Sequence, residues 1–171
     1  QLADIIAFVE PKETVLGSPE CQVTELAIDS RKVTQPERTL FFAIETEKND
    51  GHFFVMQLYC NGVRNFVITK ILEDFSSCAG ANFLLVDDAV AALQRLARRH
   101  RRQFSCPVVG ITGSNGKTIV KEWLATMLSE KYRVVKSPDS YNSRLGVPLS
   151  VWRMSGQDDI AVFEAGISRP N

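Results

Sequence analysis

At 171 residues, 44% of them hydrophobic, the chain is long enough for one ordinary domain or two small ones and apolar enough to bury a core. Lysine plus arginine and aspartate plus glutamate number 20 each, so no net field attracts a polyanion and nucleic acid is not expected as a partner. No apolar run approaches the roughly 20 residues of a membrane helix and nothing reads as a signal peptide, so the expected compartment is the cytoplasm, with no membrane partner.

The chain opens on an amphipathic stretch, LADIIAFVE, followed by strand-like runs ELAID and TLFFAIE, a helical GHFFVMQLYCNG, and two more strands, NFVIT and NFLLVD. These make a small α/β unit over residues 1–104. Its last element is a helix predicted from about Asp88 to Gln103, with Val90, Leu93, Leu96 and Ala97 spaced for one buried face. The basic run RRHRR at its end reads as a solvated helix terminus, where cations complement the dipole. Cys21, Cys60, Cys78 and Cys106 form no C-x-x-C pair, so neither zinc nor a disulfide framework is indicated, and all four are expected to be small buried hydrophobes.

From residue 105 onward the pattern changes to strand, glycine turn, helix, strand, loop, helix, strand. PVVGIT is the first strand, residues 117–130 the helix, YRVVKS the second strand and DIAVFEAGI the third. Nearly continuous apolar strands mark a parallel sheet covered on both faces. A ligand in such a sheet sits beyond the carboxyl ends of the strands, where the glycine turn, the loop after Ser137 and the segment EAGIS all fall.

The turn itself, GITGSNGKT, carries the chemistry. Gly113 and Gly116 let the backbone approach a phosphate, and the free N–H groups at the start of the following helix point toward an anion. Lys117 adds a cation, and Thr118 offers a hydroxyl to a magnesium ion. Glycine alone is what any tight strand-to-helix turn needs for its dihedrals. That reading leaves unexplained a lysine at a helix start, where positive charge is disfavoured until an anion arrives. The usual phosphate-loop frame G-x-x-x-x-G-K-[ST] would place glycine where this chain has Ile111. Glu164, at the end of the strand IAVFE, stands where such proteins set a magnesium carboxylate, although a strand-end carboxylate facing water is the plainer reading of it in isolation.

GITGSNGKT resembles the ATP loop of the Mur ligases and their folylpolyglutamate synthetase relatives, whose own pattern lacks that first glycine. The MurF type of the family is indicated by DSRKV, TLFFAI, NDGHFF and GVRNFVIT before the loop, and by TIVKEWL, SYNSRLGVPLSVW and FEAGISRP after it. The wording is also close to the MurF half of fused ligase and alanine racemase proteins. The resemblance implies an amino-terminal domain that holds the UDP end of a muramoyl substrate, with Ser30, Arg31, Lys48, Asn49 and Asp50 near the uridine and diphosphate. It implies that Gly113, Ser114, Asn115, Gly116, Lys117 and Thr118 bind ATP, that Thr118 and Glu164 ligate Mg2+, and that Lys117 and Glu164 serve catalysis. Asn142 matches an asparagine on the substrate side of the cleft; read by itself, it would cap a helix starting near Ser143.

The reaction so implied is ATP-dependent amide formation between UDP-N-acetylmuramoyl-tripeptide and D-alanyl-D-alanine through an acyl phosphate, a step in peptidoglycan precursor synthesis. The chain stops at SRPN, short of the family's carboxy-terminal domain and the rest of its central domain. The resemblance therefore implies a fragment that is inactive until joined by the missing carboxy-terminal part. A folylpolyglutamate synthetase-like ligase is a nearer alternative, disfavoured by the hundred residues ahead of the loop. A non-catalytic UDP-sugar-binding module with a relic loop is another, for which the pairing of Thr118 with Glu164 has no use.

Overall fold

A computed structural model of the chain describes residues 1–71 and 73–166; the tail of the quoted run EAGIS and of SRPN, from Ile167 on, lies outside the described residues. The chain folds as two units, Gln1–Arg95 and Leu96–Asn171.

In the first unit, α1 (Leu2–Val9) buries Leu2, Ile5 and Val9, the i, i+3, i+7 face that its sequence spacing dictates, and Glu10 ends it in the left-handed region at φ 53°. The following strands are β1 (Glu13–Leu16), β2 (Glu25–Ala27) and β3 (Thr39–Phe42). A short hairpin, β4 (Glu45–Thr46) and β5 (Asn49–Asp50), leads through a 3₁₀ turn (Gly51–Phe54) into α2 (Val55–Cys60). Then come β6 (Asn65–Ile68) and β7 (Asn82–Leu85). The five-stranded sheet runs β1-β7-β6-β3-β2, parallel throughout except at β1, which pairs antiparallel with β7. Its core is aromatic: Phe66 and Phe75 both stack on Phe83, with centroids 5.3 and 5.1 Å away. Burying each such side chain contributes about 1.5–3 kcal/mol. Because β2, β3, β6 and β7 are parallel, their carboxyl ends bring the turns after Ala27, Phe42, Ile68 and Leu85 to one edge.

The helix α3 (Ala89–Arg101) is three residues shorter than the expected Asp88–Gln103, because Asp88 stays outside and caps it, accepting from the N–H of Val90 (2.7 Å) and Ala91 (3.1 Å). Ala89, Ala92, Leu93, Leu96 and Ala97 are its buried residues, while Val90 is half-buried. In the second unit the RRHRR run terminates the helix: Arg101 donates through Nη2 to the Cys106 carbonyl (3.0 Å), and His100 packs on Phe104 and Trp152.

The second unit continues with β8 (Val108–Ile111), α4 (Lys117–Ser129), β9 (Val134–Lys136), α5 (Gly146–Trp152) and β10 (Ile160–Glu164). Its parallel sheet has the order β8-β10-β9. The expectation of a sheet covered on both faces holds for β10, which is buried from Ala161 to Glu164, but not for β8, an edge strand whose residues are alternately exposed and half-buried. On α4, Ile119, Trp123 and Met127 form a stripe at i, i+4, i+8 that is exposed, Trp123 by 70%.

The cysteines differ from the uniform burial expected of them. Cys78 is buried, Cys21 and Cys106 are half-buried, and Cys60 is exposed because it closes α2 on the solvent side. Among the described residues no helix is long and apolar enough to cross a membrane.

Candidate functional site

Two groups of residues gather at strand ends, one in each unit. In the first unit, β2 runs into a 3₁₀ turn carrying Ser30 and Arg31, capped by Asp29. The Asp29 carboxylate accepts from the Arg31 backbone N–H (3.0 Å), Nε (2.9 Å) and Nη2 (2.8 Å). Two of the five donors of the guanidinium are thus aligned by a carboxylate, while the side chain stays 85% exposed. Lys48 sits exposed at the tip of the β4–β5 hairpin, and Asn49 is engaged through its backbone, donating to and accepting from Thr46 Oγ1 at 3.1 Å.

Asp50 is committed to protein donors. Its carboxylate receives the His52 backbone N–H (2.9 Å), His52 Nδ1 (2.6 Å) and Lys70 Nζ (2.6 Å). His52, 1% exposed, also accepts the Thr69 N–H at Nε2 (3.0 Å), which fixes the proton on Nδ1. Glu45, Asp50 and His52 are close enough to hold a cation, but Lys70 already bridges the two carboxylates, 3.0 Å from Glu45. Sequence reading missed both Lys70 and His52. His52 falls within the quoted run NDGHFF, and the signal for Lys70 was position alone, two residues past the carboxyl end of β6.

These contacts make two carboxyl groups more acidic. The Arg31 side chain, against partial desolvation, holds Asp29 at about 2. Burial alone would raise Asp50, but the Lys70 ammonium and the N–H and ring of His52 hold it also at about 2. An unfolded aspartate titrates near ~4, so the stability these groups lend is fully present above that pH and is lost as pH falls through about 2. In thermal melts across pH, the gap between the wild type and Asp50→Asn is expected to be constant above about 4 and to shrink toward 2. A gap independent of pH would show that the Asp50 contacts do not depend on its charge.

The second group lies at the carboxyl ends of β8 and β10. The turn between β8 and α4 reaches the helix through Gly113 (φ 138°) and Gly116 (φ 77°), conformations that side chains rarely adopt. Both glycines face open space, so their role is conformational and leaves the loop backbone uncovered. Lys117 begins α4 and folds back, donating from Nζ to the carbonyls of Gly113 (2.7 Å) and Ser114 (3.4 Å). Ser114 and Asn115 are exposed on the turn.

Glu164 ends β10 and is buried, 1% exposed, rather than facing water. Thr118 Oγ1 donates to Oε2 (2.9 Å) and Asn142 Nδ2 to Oε1 (2.7 Å), while Ser137 Oγ accepts the Glu164 backbone N–H (3.0 Å). A buried carboxylate and a hydroxyl beside a glycine turn at a helix start are an oxygen donor set for a hard divalent cation next to an anion. Asn142 therefore does not cap the next helix. The N-cap of α5 is Leu145, and ahead of it Ser143 Oγ accepts the N–H of Gly146 (3.1 Å). Gly166 completes the cradle, donating its N–H to the Asn142 carbonyl (2.7 Å), and a Cβ on it would meet that oxygen at 2.9 Å. The structure thus brings Lys117, Thr118, Asn142 and Glu164 together. By contrast, the cavity of about 330 Å³ in the first unit is apolar, bordered by Val15, Ile68, Phe75 and Phe83, and no sequence-predicted site residue lines it.

The Mur ligase middle domain family matches residues 111–171, the loop and everything after it. The UDP-N-acetylmuramoyl-tripeptide--D-alanyl-D-alanine ligase of Bacillus subtilis (strain 168) is 35% identical over 164 residues, covering 94% of this chain and 35% of the relative. A crystal structure of MurF from Acinetobacter baumannii superposes with a TM-score of 0.83 at 26% identity, over 98% of this chain and 36% of that one. The MurF ligase of Thermotoga maritima, solved in complex with ADP, gives a TM-score of 0.71 at 32% identity, over 85% of this chain and 33% of that one. The chain spans about a third of the length of the curated relatives it matches.

Proposed function

We propose, from the premise that this chain belongs to the Mur ligase family, that it is the muramoyl-binding and phosphate-loop portion of an ATP-dependent amide ligase. The reaction is the joining of D-alanyl-D-alanine to UDP-N-acetylmuramoyl-tripeptide in peptidoglycan precursor synthesis. The observation that carries this reading is Glu164, a buried carboxylate that accepts both the Thr118 hydroxyl and the Asn142 amide beside the glycine loop. A buried carboxylate serving structure alone would be paired with a cation; this one is met by neutral donors and suits Mg2+.

In this reading the backbone N–H groups of residues 113–116 cradle the phosphates of ATP, and Lys117 leaves the Gly113 and Ser114 carbonyls to pair with them. Thr118 and Glu164 hold the magnesium ion, which when bound neutralises the charge on the transferring phosphoryl group. The tripeptide carboxylate attacks the γ-phosphorus, ADP leaves, and the amine of D-alanyl-D-alanine then displaces phosphate from the acyl phosphate. The residues of this chain contribute positioning and charge, the two terms on which phosphoryl transfer rests. Ser30 and Arg31, with Lys48 and Asn49 at the neighbouring hairpin, receive the UDP moiety, and Asp50 holds that hairpin to Lys70 and His52. A protein taking ATP and a UDP-linked precursor works in the cytoplasm.

Calorimetric titration of the chain with UDP-N-acetylmuramoyl-tripeptide, and separately with ADP and magnesium, tests the reading. Both ligands are expected to bind, with Arg31→Ala weakening the muramoyl ligand about tenfold or more and leaving ADP unaffected. Binding of ADP alone would overturn the substrate assignment. Binding of the muramoyl ligand alone would leave a UDP-sugar-binding module with a relic loop.

A further inference from the structure

Lys121 has 0% exposure, yet it lies on α4, whose other faces are largely open to solvent. Its Nζ donates to the carbonyls of Ser137 (2.9 Å) and Asp139 (2.5 Å) and lies 3.2 Å from Glu122 Oε1, so all three protons of the ammonium have an acceptor. Glu122 is shared with Lys136 of β9. Burying an ammonium is costly, and a methionine would fill the same space without that cost. What an apolar side chain cannot do is hold two backbone carbonyls.

Those carbonyls belong to the loop after β9, which turns sharply at Asp139, a non-glycine residue at φ 42°. The same loop carries two of the three side chains that fix Glu164. Ser137 Oγ accepts its backbone N–H (3.0 Å), and Asn142 Nδ2 donates to its carboxylate (2.7 Å). The third, Thr118, stands one turn before Lys121 on α4, as does Lys117 at i−4. One helix therefore reaches Glu164 twice, directly through its first turn and by way of the loop through its second.

We infer that Lys121 is a positioning residue for the metal carboxylate: it locks the loop of residues 137–142 to α4 and so sets the orientation in which Glu164 meets the cation. The inference rests on the nucleotide and magnesium reading above, but its structural half does not require a ligand. The Lys121 ammonium directs its three protons to Ser137, Asp139 and Glu122, and so to neither the phosphate loop backbone nor Glu164. Its loss therefore lowers the part of nucleotide affinity that depends on magnesium and spares the part supplied by residues 113–117. Outer partners that orient a metal ligand are commonly worth about 10–100-fold in metal affinity.

The test is Lys121→Met in the whole chain, with two readouts. In hydrogen exchange without ligand, the amides of Tyr141, Asn142 and Gly166 are expected to lose protection while those of β10, such as Ala161, keep it. In calorimetry, ADP affinity in EDTA is expected to stay within about twofold of wild type, and the gain on adding magnesium to fall about tenfold. Loss of protection spread evenly over the unit, or a magnesium gain equal to wild type, overturns the inference while leaving the nucleotide site standing. A wild-type chain that binds ADP without any gain from magnesium, or not at all, overturns the metal reading and this inference with it. Should Lys121→Met fail to fold, Lys121→Gln, an uncharged donor that can hold only two of the three acceptors, is expected to give a weaker form of the same selective loss; magnesium dependence equal to wild type in that variant overturns the inference.

Discussion

Lys117→Ala is expected to weaken ADP binding by about 100-fold, with no loss of thermal stability. In the proposed complex the ammonium would be a charge-assisted donor to phosphate oxygens, an interaction worth about 1.5–3 kcal/mol, and each 1.4 kcal/mol is about tenfold in affinity. Its cost to the fold is small because its present partners, the Gly113 and Ser114 carbonyls, lie at the surface where water replaces it. Removing a cation from the first position of α4 also relieves an unfavourable interaction with the helix dipole. Calorimetry with ADP alongside a melting curve checks both halves. A variant that binds ADP as the wild type does would sink the phosphate-loop assignment.

The second large effect belongs to Glu164→Gln, which is expected to abolish the gain in ADP affinity on adding magnesium while leaving metal-free binding in place. The substitution keeps shape. The glutamine oxygen still accepts from Asn142 Nδ2, and the Thr118 hydroxyl, which now donates to Oε2, rotates to accept from the new amide. What disappears is the negative charge, and with it the preference for a hard cation over water. Because the carboxylate is buried, the melting temperature is expected to hold or rise, as it does when an isolated buried charge is neutralised. Titrations at matched nucleotide with and without EDTA decide the point, and a magnesium gain that survives the substitution would remove Glu164 from the metal site.

The elements that could be read in advance are those whose pattern is local. The helix face of α1 follows from spacing alone, as do the strands β3, β6 and β10, whose apolar runs are buried almost from end to end. β1 could not be read this way. All four of its residues, Glu13 to Leu16, are exposed, so it carries no alternation, and what makes it a strand is pairing with β7 from Asn82 to Leu85, far along the chain. The loop chemistry was legible because glycine, lysine and threonine at fixed offsets have few uses together. The burial of Glu164 was not, since a strand-end carboxylate looks the same in sequence whether it meets water or Thr118 and Asn142. Lys121 was concealed for a related reason. A lysine four residues into an apparently solvated helix reads as surface, and only the return of the loop after Ser137 turns it into a buried ion.

Both tryptophans of the chain, Trp123 and Trp152, fall in the unit Leu96–Asn171, and they occupy opposite environments. Trp152 packs on the His100 ring at 4.5 Å, whereas Trp123 stands 70% exposed on the outer stripe of the helix that Lys117 begins. Indole fluorescence is thus blind to residues 1–95 and reports on residues 96–171 alone. A blue shift on titrating any candidate partner would locate the contact on the α4 face without labelling, and quenching by iodide would separate the open indole from the stacked one.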